Sequence, residues 1–428
     1  MKSISNMRHS QLVITVIAAL TVFLFLLFRL HTHGVFYSVP SDADETVFEL
    51  IAFNIAEGDG FSGEVSDTFA RPYIETFGPN YLTPLDGELD ALGLKSTTTY
   101  RPPLFPALLG LLYRLFGRHF FLAKLLNIAF LSAGLGLLSA VALSRVGIFG
   151  VIVMVFGALI DPLFISYSRL GLSEASIFFF VSVIINLLDR KAGVISLGVA
   201  LGVAGLSRTF VALWSFFIAL SLKNVSLRNR ILLVLIAISV LLPWAVRNSV
   251  VLGRFAPLGS QGGIVMGMIY GPDTVRDGGN WTAASHNKFV LEMKSYRPEL
   301  TGSEREAAVS LYGQERGMNW IKDHISAVPY LMVRRVFSLW WEDTMRSQKL
   351  LIIFALFGLI TLQGREIWKL CFPIIIAHSF AIAVTCNYPA QDAELHGRYL
   401  FVLHPFMLLC FGVSLVGFKD TLLSWRRS

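Results

Sequence analysis

Residues 11–30 read QLVITVIAALTVFLFLLFRL, twenty positions with one charge, Arg29, near the far end. A helix of that length rises about 30 Å, the thickness of a bilayer's hydrocarbon core, so the run is expected to cross a membrane. The charges before it are Lys2 and Arg8, and basic residues flanking a span stay in the cytoplasm. The run is too long for the core of a cleaved leader and no small-residue cleavage site follows it, so it reads as a retained anchor. What comes next in the chain then lies on the outer side.

The rest of the composition extends this reading. Hydrophobic residues make up 54% of the 428 positions and charged residues only 15%, where a soluble domain carries about a quarter. The net charge of +7 falls mostly in short loops and at the termini (Arg426, Arg427), with no basic stripe interleaved with aromatics, so a nucleic-acid partner is excluded. Cys371, Cys386 and Cys410 lie in or beside apolar runs without CxxC spacing and read as small buried hydrophobes.

Apolar segments at 10–30, 119–143, 147–166, 172–188, 193–207, 209–222, 230–246, 349–363, 369–386 and 398–418 predict ten spans. Alternating sides then places Arg145, Arg190/Lys191, Lys223/Arg228/Arg230, Arg365/Lys369 and Lys419/Arg426/Arg427 in the cytoplasm with both termini. Residues 103–117, preceded by Pro102 and Pro103, read as a helix lying on the outer face. Two large outer loops remain, 31–118 and 247–348. The expectation is an all-α, polytopic transmembrane bundle, one membrane domain over 1–428, in the cytoplasmic (inner) membrane among its lipids.

The first outer loop holds twelve carboxylates against Arg71 and Lys95 between His31 and Tyr100. Outside the compartment that holds ATP and sugar nucleotides, such a cluster beside a bilayer points to a lipid-linked substrate. Within it Ala43–Glu57 reads as a helix resting on the membrane, with Asp42 and Glu45 as a capping box and Val47, Phe48, Ile51, Ala52 and Ile55 on one face. Asp44 and Glu45 at its start are candidate proton acceptors, although acids there also complement the helix dipole. Asp42-Ala43-Asp44 matches the DxD metal signature of soluble sugar transferases but faces away from the nucleotide pool, so no metal or other cofactor is expected.

Glu174 opens the fourth span, where an acid is costly and marks a functional site; Asp161-Pro162 nearby ends a helix. Arg101, Arg208, Arg247 and Arg398 all fall at outer ends of helices, against the charge bias of the other loops. One alone would be explained by snorkelling to headgroups, whereas four together fit a lipid phosphate held bidentately. The second loop opens with a flexible Gly259–Gly271 segment, continues as a charged helix over Ser303–His324, and closes with an interfacial Val328–Trp341. His31-Thr32-His33, His396 and His404 lack a partner set for a metal, and Asn280-Trp281-Thr282 is a glycosylation sequon.

Six motifs in order then resemble the GT-C membrane glycosyltransferases, within them the protein O-mannosyltransferase and lipid A aminoarabinose transferase group. They are Asp44-Glu45-Thr46 with the helix ending Ala56-Glu57-Gly58-Asp59-Gly60-Phe61; Tyr100-Arg101-Pro102-Pro103-Leu104-Phe105-Pro106; Leu172-Ser173-Glu174; Gly205-Leu206-Ser207-Arg208; Pro243-Trp244-Ala245-Val246-Arg247-Asn248; and Gly397-Arg398-Tyr399 with Pro405. The resemblance covers roughly 1–420 and implies a polyprenyl-phosphate-sugar donor, inverting transfer to an extracytoplasmic acceptor (glycolipid, polysaccharide or protein), and a first-loop acid as catalyst. Carried over, Asp44 is the base and Glu174 its acidic partner, with Glu45 beside them; Arg101 and Arg208 lie near the donor phosphate, and Arg247, Arg398 and Tyr399 complete that side. The chain departs from the group in having no C-terminal soluble domain, which leaves acceptor recognition to the second outer loop. The competing class is a transporter or lipid-sugar flippase, but no repeat with interrupted helices is found and the charges gather on one face.

Overall fold

The computed structural model describes residues 2–387 and 397–425, with side chains for 9–387 and 397–416. Lys2, Arg8, Lys419, Arg426 and Arg427, on which part of the topology rests, and His396 lie outside the described side chains. Among the described residues every regular element is helical, and one antiparallel bridge joins Ser62 to Thr97.

The first apolar run forms α1 (Lys2–Thr32), and the loop expected on the outer side holds α2 (Ala43–Glu57), α3 (Asp67–Phe77), α4 (Thr83–Ala91) and α5 (Leu104–Phe116). Next comes α6 (Phe121–Ile160), whose 40 residues would extend about 60 Å, twice a bilayer core. Gly147 divides it: φ there is +74°, a left-handed value that glycine takes without steric cost, so two legs form where two spans were expected. The second leg stops at Ile160 rather than 166. Asp161 turns extended and Pro162 begins α7 (Pro162–Arg169), which is bent by 118° from α8 (Glu174–Asp189). The bundle continues with α9 (Val194–Ser207), a 3-10 turn at Thr209–Leu213, α10 (Trp214–Ser221) and α11 (Leu227–Val251).

The second outer loop contains α12 (Gln261–Ile269), α13 (Ala283–Ser295), α14 (Gly302–Asp323) and α15 (Val328–Phe337). The chain returns to the bundle in α16 (Arg346–Gly358), α17 (Leu362–Val384), α18 (Arg398–Phe401) and α19 (His404–Trp425). Among the described residues four helices, α1, α6, α11 and α17, are long and apolar enough to cross a membrane, or five crossings if the bent pair α7–α8 is one span. The segments Val194–Ser207 and Thr209–Ser221 are apolar but shorter, so ten full-length spans do not follow from helix length. The span expected at 349–363 ends at Gly358, because Thr361 caps the next helix through the Gly364 amide (3.0 Å) and starts it at Leu362, seven residues earlier than predicted.

Two corrections concern the outer layer. First, α2 does not rest on a surface: every residue from Glu45 to Asn54 is buried. Phe48 and Ala52 join the bundle core, while Val47, Leu50, Ile51 and Phe53 join a second core with Phe69, Leu92, Ile264, Phe289 and Val309 from both outer loops. The loops therefore close over α2 as one packed layer. Gly110 of α5 sits so near α2 that a Cβ there would lie 2.8 Å from the Ala52 carbonyl oxygen. Second, the glycines of 259–271 are not a flexible segment. Gly262, Gly263 and Gly267 lie within α12, and a Cβ on Gly263 or Gly267 would meet Ser310 or Phe289 within 2.3 Å, with Gly313 opposite. Small residues here let two helix backbones approach closely.

Candidate active site

The site begins at the start of α2. Asp42 caps the helix, its carboxylate accepting the Glu45 amide at 3.1 Å, and this sets the rotation of the next two side chains. The capping box is only half made, because the Glu45 carboxylate turns away and accepts the Gly171 amide at 2.6 Å. Asp44 faces the bundle. One oxygen bonds Arg101 and the other bonds Nη1 of Arg398 at 2.5 Å. Arg398 passes on through Nε to Glu174, and Arg208 meets the same Glu174 oxygen.

The result is a chain of alternating charges, Arg101–Asp44–Arg398–Glu174–Arg208, drawn from five places in the sequence. Three guanidinium groups face two carboxylates, so it carries one surplus positive charge. Its centre is enclosed, with Glu174 at 0% and Arg398 at 4% exposure. Its edge is open at Asp44, whose side chain is 26% exposed. Arg101 Nε and Arg208 Nε are buried without a hydrogen-bond partner, and unmatched charged donors of this kind call for an anionic ligand; the acceptor Glu174 Oε2 is also unpartnered.

Local geometry aims each arginine. Pro102 and Pro103 hold the chain off the helix until Leu104, so Arg101 lies over the rings of Tyr100 (4.9 Å) and Phe48 (5.3 Å). Helix α9 ends at Ser207, and Arg208 is extended, 5.8 Å over the Tyr399 ring. Gly397 starts α18 at φ +73°, with Gln348 packed against its Cα, so no side chain fits beside Arg398.

Burial tends to raise the Asp44 carboxyl, but Arg101 and Arg398 outweigh it and hold it well below the usual carboxylate range. Asp44 is thus ionised, and in this state a weak base. Burial pushes the Glu45 carboxyl up to about 7, despite the Gly171 amide and nearby Lys124. A raised carboxyl binds its proton more tightly in the folded state, so this contribution to stability falls as pH rises from about 4.5 to about 7. Glu45→Gln should therefore gain on the parent by on the order of 1–3 kcal/mol between about pH 5 and 8 in unfolding followed in detergent. A pH-independent difference would show that Glu45 titrates normally.

Not every expected residue joins the network. Arg247 is spent elsewhere: Nη1 donates to the Thr98 carbonyl (2.7 Å), and the guanidinium lies 4.5 Å over Trp244. It ties the end of α11 to the segment leading to Arg101 and stands outside the network of Arg101, Asp44, Arg398, Glu174 and Arg208. Tyr399 contributes its ring face, while its carbonyl is bonded to His378 Nε2 at 2.9 Å.

Sequence reasoning also missed partners. His404 does have one, since Nε2 lies 2.8 Å from Asp161 Oδ2 with both groups buried. Asp161 caps α7 as well, through the Leu163 amide at 3.0 Å. Buried Lys124 donates to the Val35 and Ser38 carbonyls and tethers the chain leaving α1. The sequon residue Asn280 is buried and accepts the Asn387 amide, so it is not presented for modification. Signals for these contacts were limited to a polar residue in an apolar run.

A bidentate charged contact to phosphate is worth about 1.5–3 kcal/mol, so Arg101→Ala and Arg208→Ala should each weaken binding of a phosphate-bearing ligand by about 10- to 150-fold. Lysine should restore only part of this, because the planar fork is lost. Unchanged binding in both alanine variants would leave these arginines as partners of Asp44 and Glu174 alone.

No protein-family model and no curated protein matches the chain. Among solved structures, ArnT from Cupriavidus metallidurans bound to undecaprenyl phosphate is similar over 96% of this chain and 78% of the ArnT chain, with 14% identity and a TM-score of 0.40. The apo state of the same ArnT is similar over 91% and 77%, with 15% identity and a TM-score of 0.35.

Proposed function

We propose that this chain is an inverting membrane glycosyltransferase of the GT-C type. It moves a sugar from a polyprenyl-phosphate donor to an acceptor hydroxyl on the outer side of the cytoplasmic membrane. The observation that carries this reading is the alternating network with its single surplus positive charge. A lipid-phosphate-sugar is a phosphodiester of charge −1 and would neutralise it. Glycosidases need a carboxylic acid to protonate a poor leaving group, whereas a phosphate leaves as an anion and needs positive charge.

In the reaction the acceptor oxygen attacks the anomeric carbon as the bond from that carbon to the phosphate oxygen breaks. The electron pair leaves on the lipid phosphate, where Arg101 and Arg208 take up the growing charge. The acceptor proton passes to Asp44. Donor binding also prepares the base: a phosphate that draws Arg101 toward itself relieves Asp44 of one counter-charge and raises its proton affinity. Glu174 stays paired with Arg398 and Arg208 and positions both. No step calls for a metal.

Deleting the gene and comparing surface glycans and glycolipids by mass spectrometry tests the reading. The expected result is loss of one sugar increment with polyprenyl-phosphate-sugar accumulating on the outer leaflet, both reversed by the intact gene. Donor accumulating on the cytoplasmic leaflet alone would identify a flippase and overturn the proposal.

A further inference from the structure

A cleft of about 560 Å³ opens between the two outer loops, within the range of roughly 300–1,000 Å³ usual for small-molecule sites. One wall is Ser41 and Ala43, the residues flanking the α2 cap, with Tyr81, Leu85 and Glu88 from the first loop; the other is Asn287 and Lys294 of α13. The Tyr81 hydroxyl donates to the Ser41 carbonyl at 2.8 Å, tying this wall to the segment that carries Asp44. Tyr100, whose ring underlies Arg101, feels the charges of both Glu88 and Asp44. Ala43 of the cleft wall directly precedes Asp44 of the charge network in the chain.

Its chemistry is specific. The lining has one cation, Lys294, and one carboxylate, Glu88, which is paired with His286 at 3.1 Å. Half-buried Asp42 lies between Ser41 and Ala43 in the chain, and its carboxyl is raised first by burial and then by Asp44. A phosphate on the acceptor would meet one carboxylate and one ammonium here and none of the arginine forks that phosphates select. The Tyr81 ring, the Leu85 side chain, a carboxylate, an amide and an ammonium instead offer apolar contact with mixed donors and acceptors, which suits a polyhydroxyl face.

Building on the transfer reaction proposed above, we infer that this cleft binds the acceptor and that the acceptor group is a saccharide hydroxyl rather than a phosphate. The oxygen that bonds to the anomeric carbon then comes from a sugar ring, its proton goes to Asp44, and the product is an O-glycoside with lipid phosphate released. Phosphate recognition belongs to the donor alone.

The test introduces Asn287→Trp, at an exposed position on the rim, and Glu88→Gln into the deletion strain. Purified proteins are titrated with undecaprenyl phosphate in parallel. Both variants should lower the sugar increment on surface glycans about tenfold or more, while lipid-phosphate affinity stays within about twofold. The increment on the wild-type product should survive the mild acid that cleaves glycosyl phosphates. Unchanged increments in both variants, or release of the sugar by mild acid, would overturn the inference. Failure of the wild-type protein to bind undecaprenyl phosphate would instead bring down the donor reading beneath it.

Discussion

Asp44→Asn should bind undecaprenyl phosphate at least as tightly as the parent yet transfer sugar about 10²–10⁴ more slowly, the usual cost of losing a general base. The two halves follow from one arrangement. Asparagine keeps the shape, but its one carbonyl oxygen can accept from only one of Arg101 and Arg398, which bond separate oxygens of the Asp44 carboxylate, and its NH2 faces the other. It removes the negative charge, so three guanidinium groups face one carboxylate and attraction for phosphate grows. The acceptor proton then has no ionised carboxylate at the open edge. Glu45 cannot substitute, because its carboxylate is buried against Gly171. Asp42→Asn should cost little, since asparagine caps a helix about as well as aspartate. An Asp44→Asn enzyme retaining more than about a tenth of parental turnover would remove this residue as the base.

The largest effect on stability is expected from Arg398→Ala. This guanidinium bridges Asp44 and Glu174, and Glu174 is wholly buried with one oxygen lacking a partner. Removing the bridge leaves two carboxylates enclosed with only Arg101 and Arg208 at the flanks. Breaking a buried pair from one side typically costs about 3–5 kcal/mol. Arg398→Ala should therefore unfold well below the parent when heated in detergent and should lose transfer. Adding Glu174→Gln should recover part of the stability, because the stranded charge disappears, but none of the activity. Equal unfolding temperatures for Arg398→Ala and parent would show that the network does not brace the bundle.

The sequence by itself determined the helical class, the long apolar first helix, the helix Ala43–Glu57 with its Asp42 cap, and a short list of charged residues at helix ends. Hydropathy, capping and the side preference of lysine and arginine are local properties, readable within a few residues. Only the tertiary structure decided which charges meet. Asp44 and Glu45 are adjacent in sequence but about 100° apart around a helix, so one faces the arginines and the other Gly171. Arg398 reaches Asp44 across 354 positions, whereas Arg247 turns to the Thr98 carbonyl. The glycines of α12 read as loose chain until α14 lies against them, and His404 read as solitary until Asp161 folds beside it. Partnership depends on helix rotation, bends such as those at Gly147 and Asp161, and side-chain reach, and these are settled only when distant segments pack.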